Sequence, residues 1–289
     1  MFYFLRNKLI SISLVVLFLS ACSGDNDIVV DSDTVSTGRI YATFQVISEG
    51  GDRVFSEAQL TRNAPPRDSN DSTTFVRLVG NDVLWFSAGS SVDDIDFSDN
   101  IFGDLDTYED QHTTFSPSTT PRGSYFFLWY RLILNDFGTW YSASLPQSEN
   151  ENTPYFFSLF RDNATTADSS SVTISPAFSI VAPQDNTAFS RSSDDIIIEW
   201  DNTDPQASIE IEVNFTCSFS DTFSFSAVID TDPGIYTIPA GDLDMIDGGG
   251  DCSATLSVRK VHLGQFDSAF VGGTVNSYQI RKVVFRSEN

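Results

Sequence analysis

An acidic segment, residues 91 to 110, holds the side chains of this chain that are best suited to bind a metal ion. It carries eight carboxylates and no basic residue. Calcium takes six to eight oxygen ligands, and five aspartates of the segment could supply some of them: Asp94, Asp96, Asp99, Asp104 and Asp106. An EF-hand needs glycine at loop position six, and neither Asp94 nor Asp104 as the first ligand provides one. A solvated acidic loop is therefore the alternative to a calcium site.

Residues 125 to 141 form the densest aromatic stretch of the chain. If this stretch is a β-strand, alternate side chains face the core, and the others point outward: Tyr125, Phe127 and Trp129. Outward aromatic rings could stack on sugar rings or bind another protein. Covering by a neighbouring loop or domain is the remaining interpretation. We expect no cofactor apart from the calcium that the acidic segment could hold.

Catalytic motifs are scarce. The sequence has no GxSxG, HExxH, P-loop or GxGxxG motif, and it holds two histidines, His112 and His262. We interpret His112 as a loop residue and His262 as a surface residue near a strand end. A pair of carboxylates could still catalyse hydrolysis, because 40 acidic residues are available. We predict a non-enzymatic protein and keep the carboxylate hydrolase as an alternative.

The N-terminus reads as a secretory signal that ends at a cysteine. Arg6 and Lys8 precede the apolar stretch from Leu9 to Phe18, which is shorter than the roughly 20 residues of a membrane span. The following residues, Leu19-Ser20-Ala21-Cys22, resemble the lipobox of bacterial lipoproteins. The resemblance implies cleavage after residue 21, lipidation of Cys22 and palmitate on the mature chain. Ser23 in the next position implies anchoring in the outer membrane of a Gram-negative envelope, on the periplasmic or the exterior side.

The net charge limits the partners of this chain, and the predicted compartment bears on its two remaining cysteines. The net charge of −24 makes nucleic acid and anionic lipid headgroups poor partners. Once Cys22 is lipidated, Cys217 and Cys252 remain as an even pair in an oxidising compartment. We expect a disulfide between them, because no CxxC motif or histidine cluster favours metal ligation.

The C-terminal third alternates apolar and polar residues with the period of β-strands. Ser208 to Phe215 places four apolar residues on one face and polar residues on the other, and Asp195 to Trp200 and Ser253 to Arg259 do likewise. About seven such strands follow residue 177, and their order resembles an immunoglobulin-like or fibronectin type III β-sandwich. That resemblance places Cys217 after strand C and Cys252 before strand F, two antiparallel neighbours of one sheet.

Earlier residues also read as strands, and together they predict an all-β protein with two tandem β-sandwich domains. Gly80-Asn81-Asp82 looks like a hairpin turn between two of these strands. We divide the chain into a signal peptide (1–21), a lipidated cysteine and flexible tether (22–38), an N-terminal β-sandwich-like domain (39–176) and a C-terminal immunoglobulin-like domain (177–289). The favoured function is a non-catalytic envelope scaffold or binding module, with an unknown envelope protein or polysaccharide as partner. A carbohydrate-binding surface lipoprotein, assisted by calcium, is the alternative.

Overall fold

The computed structural model of this protein describes residues 28–65, 74–89, 112–114, 116–118, 140–147, 152–217, 222–243 and 250–288. These residues form β-strands, turns and two short 3-10 helices, and no α-helix occurs among them. The all-β prediction is therefore confirmed. The strands of the described ranges, in chain order, are β1 (Ile28–Asp31), β2 (Ile40–Ser48), β3 (Arg53–Arg62), β4 (Thr74–Arg77), β5 (Val83–Ala88), β6 (His112–Thr114), β7 (Ser116–Ser118), β8 (Trp140–Pro146), β9 (Pro154–Phe160), β10 (Ala167–Thr173), β11 (Ile180–Ala182), β12 (Ala188–Ser190), β13 (Ile196–Trp200), β14 (Ser208–Cys217), β15 (Thr222–Ile229), β16 (Ile235–Ile238), β17 (Cys252–Leu263) and β18 (Gly272–Glu288).

One long sheet runs through both halves of the chain. Its strands lie in the order β1-β4-β3-β2-β18-β17-β14-β15, with β8 beside β3, β7 beside β8, and β12 beside β18. Two smaller sheets, β10-β9-β5-β6 and β11-β13-β16, form separate second layers. The long sheet is continuous because β18 pairs with β17 on one side and with β2 on the other.

Two buried apolar clusters occupy the same face of the long sheet. The N-terminal core combines residues of β2 and β3, such as Phe44, with Phe157 of β9 and Val275 of β18. The C-terminal core combines residues of β13 and β14 with Val283 and Phe285 of β18. Val275, Val283 and Phe285 share a face because side chains two positions apart point the same way along a strand. Strand β18 therefore contributes to both cores.

The C-terminal core has the sandwich arrangement that its sequence predicts. β14, β17 and β18 share one sheet and β11, β13 and β16 share the other, as strands C, F, G and A, B, E do in immunoglobulin-like domains. The structure also contains the predicted disulfide, which joins Cys217 and Cys252 with their Cα atoms 4.1 Å apart. These two cysteines form the last residue pair of the β14–β17 ladder.

Two predictions for the N-terminal half need correction. The sequence predicts a flexible tether over residues 22–38, but within it Ile28–Asp31 pairs in parallel with β4, and two 3-10 helices follow. Three consecutive apolar residues, Ile28 to Val30, let this segment extend the sheet edge, where Val30 packs against the N-terminal core. The turn at Gly80-Asn81-Asp82 exists, with the Asp82 N–H donating to Val79 O at 3.2 Å. It is not a hairpin turn, because β4 and β5 belong to different sheets.

The limits of the two domains stay a prediction. The two cores do divide near residue 176, since Ile174 belongs to the first and Phe178 to the second. The C-terminal chain nevertheless returns to the first core through Phe270 and Val275. The halves therefore share one sheet and one strand.

Candidate functional site

A cleft of about 430 Å³ opens on the outer face of the long sheet. Its floor is the pair of antiparallel strands β3 and β8, where Phe55 lies opposite Ser144 and Glu57 lies opposite Ser142. Residues of β6 and β7, including Thr113 and Ser116, form its wall. Ligand sites for small molecules commonly measure 300 to 1,000 Å³, so this volume suits a ligand of a few rings.

The cleft is lined mostly by hydrogen-bonding groups around one aromatic ring. Five of its ten lining residues offer a hydroxyl group: Thr113, Thr114, Ser116, Ser142 and Ser144. The hydroxyl of a sixth, Ser56, is fully buried on the other face of β3, where it donates to the Gln45 carbonyl at 2.9 Å. Arg53 adds a guanidinium, which only donates, and Glu57 adds a carboxylate, which accepts when ionised. The half-buried ring of Phe55 provides the apolar surface.

The side chain of Arg53 is held in place at the rim. Its Nη2 donates to the carbonyl oxygen and to the hydroxyl of Ser144, both at 3.0 Å. Glu57 is 2% exposed at the floor. Strand alternation places Arg53, Phe55 and Glu57 on one face, so the sequence RVFSE sets an exposed guanidinium, a half-buried ring and a buried carboxylate in a row.

A second polar cluster lies buried between the two apolar cores, on the inner face of the long sheet. Lys260 of β17 is fully buried and pairs with Asp232 at 2.8 Å. Its ammonium also donates to the Asn202 carbonyl and lies 4.7 Å from the centre of the Phe178 ring. A buried ammonium needs such partners, because an unpaired charge in the interior is strongly destabilising.

Asp232 is the anion at the centre of this cluster. Burial raises the pKa of its carboxyl, but hydrogen bonds from Lys260, the Asp204 N–H, the Trp200 indole and the Gly234 N–H outweigh it, and the pKa lies below its usual value. The Trp200 Nε1 donates to Asp232 at 2.7 Å. Asp232 is therefore held as a carboxylate in the interior.

His262 is buried beside this pair, so its interpretation as a surface residue was wrong. Its Nε2 faces Asp204 Oδ2 at 2.8 Å and Ser175 Oγ at 3.2 Å, and its Nδ1 faces Thr173 at 3.2 Å. In a serine–histidine–aspartate triad the hydroxyl and the carboxylate face different ring nitrogens. Here Ser175 and Asp204 both face Nε2, so this geometry does not activate Ser175. Nδ1 lies 3.2 Å from both the hydroxyl and the carbonyl oxygen of Thr173, and His262 thereby links the end of β10 to the C-terminal half.

Most predicted site residues lie outside the described residues. This applies to Cys22, to the aromatic residues Tyr125, Phe127 and Trp129, and to the proposed calcium ligands Asp94, Asp96, Asp99, Asp104 and Asp106. All of these stay predictions. His112 begins β6. Among the described residues there is no group of three or more potential metal ligands, and no described helix is long and apolar enough to cross a membrane.

Sequence reasoning missed both clusters. The cleft had a signal in the alternation of Arg53, Phe55 and Glu57, but the partner strand could not be identified from spacing. The inner cluster had a clearer signal, because the apolar strand β17 is interrupted by the run Arg259-Lys260 and then His262. Basic residues inside a buried strand require buried partners.

No known protein-family model matches this chain, and no curated protein matches it. Among solved structures, it is similar to the two immunoglobulin domains IG1 and IG2 of DIP-gamma, with 7% identity over 86% of this chain and 95% of that chain, at a TM-score of 0.21. A second similar structure is SGBP-B of the Bacteroides ovatus mixed-linkage glucan utilization locus, in complex with a mixed-linkage heptasaccharide. The identity is 11% over 86% of this chain and 60% of that chain, at a TM-score of 0.17. Similarity at this level carries no argument about a ligand or partner.

Proposed function

We propose that this protein is a binding protein of the bacterial cell envelope, and that its cleft on β3 and β8 binds a carbohydrate. The observation that carries the proposal is the composition of the cleft, which Thr113, Thr114, Ser116, Ser142 and Ser144 line together with Arg53, Glu57 and the Phe55 ring. A sugar presents hydroxyl groups that donate and accept, together with an apolar ring face. Hydroxyl side chains match both roles, because they also donate and accept.

The N-terminal sequence supplies the location in this proposal. Lipidation of Cys22 would hold the protein at the outer membrane, with the described fold beginning a few residues later at β1. Several acyl chains give a stable anchor, since each buried methylene contributes about 0.8 kcal/mol. Cys22→Ser should therefore abolish palmitate labelling. Retention of the label by Cys22→Ser would contradict the anchor.

Binding is best tested with the mature chain, residues 22–289, carrying Cys22→Ser, titrated by calorimetry against a panel of neutral and acidic polysaccharides. We expect saturable binding of at least one polysaccharide. Arg53→Ala should weaken it by about 10- to 100-fold, because a hydrogen bond to a charged group contributes about 1.5–3 kcal/mol. Phe55→Ala should weaken it further by removing the ring surface.

Arg77→Ala is the matched control, since Arg77 is an exposed arginine of the same half that pairs with Asp31 and does not line the cleft. It should leave the affinity unchanged. Repeating the titration with calcium and then with a chelator tests the acidic segment at residues 91–110, and a weaker affinity after chelation would support the calcium prediction. Absence of binding to every polysaccharide, or unaltered affinity in both cleft variants, would overturn the assignment of the cleft.

A further inference from the structure

The first described strand after the proposed lipid anchor starts at one end of the long sheet. Strand β1 begins at Ile28, which pairs with Thr74 of β4. The antiparallel pairing of β3 with β4 and with β2 continues this row through Arg62 to Ile40, and the Val271 N–H donates to the Ile40 carbonyl at 3.0 Å. We name these five residues the near row.

The chain between the anchor and the near row is short. From Cys22 to Ile28 there are six residue steps, and a fully extended chain spans at most about 3.3–3.6 Å per residue. The lipid anchor at Cys22 is part of the function proposed above, and the present inference rests on it. Such an anchor holds the near row within about 22 Å of the bilayer surface.

The other end of the long sheet lies beyond that reach. Cys217, Cys252 and Ser287 form a row across β14, β17 and β18, which we name the far row. Strand β18 runs from Gly272, next to the near row, to Ser287 in fifteen residue steps, or roughly 50 Å at the rise of a strand. The position of Ile28 therefore selects which end of the sheet is held close to the membrane.

Charge is distributed unequally between the two ends. The Arg191 N–H donates to the Glu288 carbonyl, and the Gly241 N–H donates to the Arg191 carbonyl, so these two turns lie beside the far row. Four exposed aspartates lie in these turns or directly before the far row: Asp194, Asp195, Asp242 and Asp251. In the near row, Arg62 is the one ionisable residue, and the exposed Arg39 lies directly beyond it.

We propose that the near end of the long sheet faces the bilayer, that Val271 and Arg39 contact the lipid headgroup region, and that the far end points away. Val271 is 50% exposed, and Val29 of the neighbouring row is 37% exposed. A guanidinium pairs with headgroup phosphate, and small apolar side chains enter the boundary between headgroups and acyl chains. The net charge of −24 opposes a flat orientation, because that would bring the aspartates of the far end to an anionic surface.

This orientation sets the height of the carbohydrate cleft above the membrane. Strand β3 runs from Arg53 at the rim of the cleft, through Glu57 at its floor, to Arg62 in the near row. Five to nine residue steps separate the cleft residues from Arg62, or about 17–30 Å along the strand. The cleft therefore opens sideways, close to the membrane that carries the anchor, and its ligand is bound in that layer of the envelope.

The test uses the lipidated chain, produced in a bacterial host and reconstituted into vesicles of phosphatidylethanolamine and phosphatidylglycerol. Cys22 then carries the lipid, and Cys217 and Cys252 are joined, so an introduced cysteine is the one free thiol for a fluorophore. Val271→Cys and Val284→Cys are matched, because both replace exposed valines. Thirteen residue steps, or about 43 Å along β18, separate the two positions.

A nitroxide on the lipid headgroups should quench the fluorophore at residue 271 and leave the fluorophore at residue 284 unquenched. Equal quenching at the two positions would show that the sheet lies flat, and this outcome overturns the proposal. Absence of quenching at residue 271 in vesicle-bound protein overturns it as well. Protein that stays out of the vesicles and carries no palmitate overturns the anchor itself, and the present inference with it.

A second measurement tests the contact of Arg39 with the headgroups. Arg39→Glu should lose part of the quenching at residue 271 on these anionic vesicles, because it replaces a cation that faces phosphate by an anion. Arg286→Glu is the matched control, since Arg286 is an exposed arginine beside the far row, and it should leave the quenching unchanged. Unchanged quenching in Arg39→Glu, or an equal loss in both variants, would overturn the assignment of the near end.

Discussion

The two apolar cores on the long sheet draw their residues from the chain in different ways. The C-terminal core is built from one continuous part of the chain, from Phe178 to Phe285, whereas the N-terminal core needs Phe270 and Val275 from near the other end. The C-terminal core also carries the Cys217–Cys252 disulfide at its edge. Among the described residues, the first core thus depends on the second half, but the second core does not contain residues of the first half.

This difference shows that neighbouring sandwiches need not be independent. Strand β18 pairs in parallel with β2 from Gly272 to Gln279 and with β17 along its length. Parallel pairs distant in sequence form only after the intervening chain is ordered, because loop closure costs conformational entropy. The N-terminal core should therefore depend on prior order in the C-terminal half.

Separate fragments should give the largest effect. We expect residues 177–289 to fold alone, with a cooperative denaturant transition followed by tryptophan fluorescence, because their core is complete. Residues 28–176 should show no such transition, since they lack β18 and the 266–275 segment. A cooperative transition in the 28–176 fragment would show that the first core is independent.

Breaking the buried ion pair should come next. Lys260→Met leaves Asp232 as an uncompensated buried carboxylate, which should reduce the free energy of unfolding by about 3–5 kcal/mol. The control is Arg77→Ala at an exposed ion pair, expected to cost about 0–1 kcal/mol. Equal losses in chemical denaturation of the two variants would mean that Lys260 is not buried as described.

Removal of the disulfide should affect the C-terminal half by a similar or slightly smaller amount. Cys217→Ser combined with Cys252→Ser opens a loop with a sequence separation of 35 residues. The chain-entropy model gives a cost of about 3–4 kcal/mol for such a loop. Reductant added to the unmodified chain should shift the denaturation midpoint as far as the double substitution does. No shift with reductant would indicate that the bond is absent.

Lowering the pH should have the smallest effect on the free energy of unfolding. It should act on Asp267, whose carboxylate joins the C-terminal half to the backbone of Asp168 and Ser169. Burial raises the pKa of Asp267, but hydrogen bonds from the backbone N–H groups of Ala269, Ser169 and Asp168 and from the Ser169 side chain lower it below its ordinary 3.8. The carboxylate therefore stabilises the native state above pH 3.8, and this contribution is lost as the pH falls through the lower native pKa. Asp267→Asn should flatten the fall in unfolding free energy at acidic pH. An unchanged slope in a denaturation series would contradict this role.

The strands of the C-terminal half could be predicted because each has one buried face and one exposed face. Ile209, Ile211, Val213 and Phe215 are all 0% or 1% exposed, as the alternation in β14 indicates. The disulfide was predicted from the even pair of cysteines, and the strand order agrees with it. Local alternation suffices wherever strands that are close in sequence also pair.

Other features depended on contacts that alternation does not encode. The β2–β18 pairing joins residues more than 200 positions apart, and β10 has too many serines to give an apolar period. Lys260 and His262 are buried because two second layers leave a gap that polar groups fill. The cleft requires β6 and β8 to approach β3, which sequence spacing cannot specify.

The parallel alignment of β2 and β18 also has a mechanical consequence. Strand β2 begins near the N-terminal end of the described chain, and β18 ends at its C-terminal end, so pulling the two ends apart draws the strands in opposite directions along their lengths. Such a load acts at once on all the hydrogen bonds that join residues 272–279 of β18 to β2, instead of opening them one after another. The fold should resist stretching between its ends far better than peeling of the β15 edge.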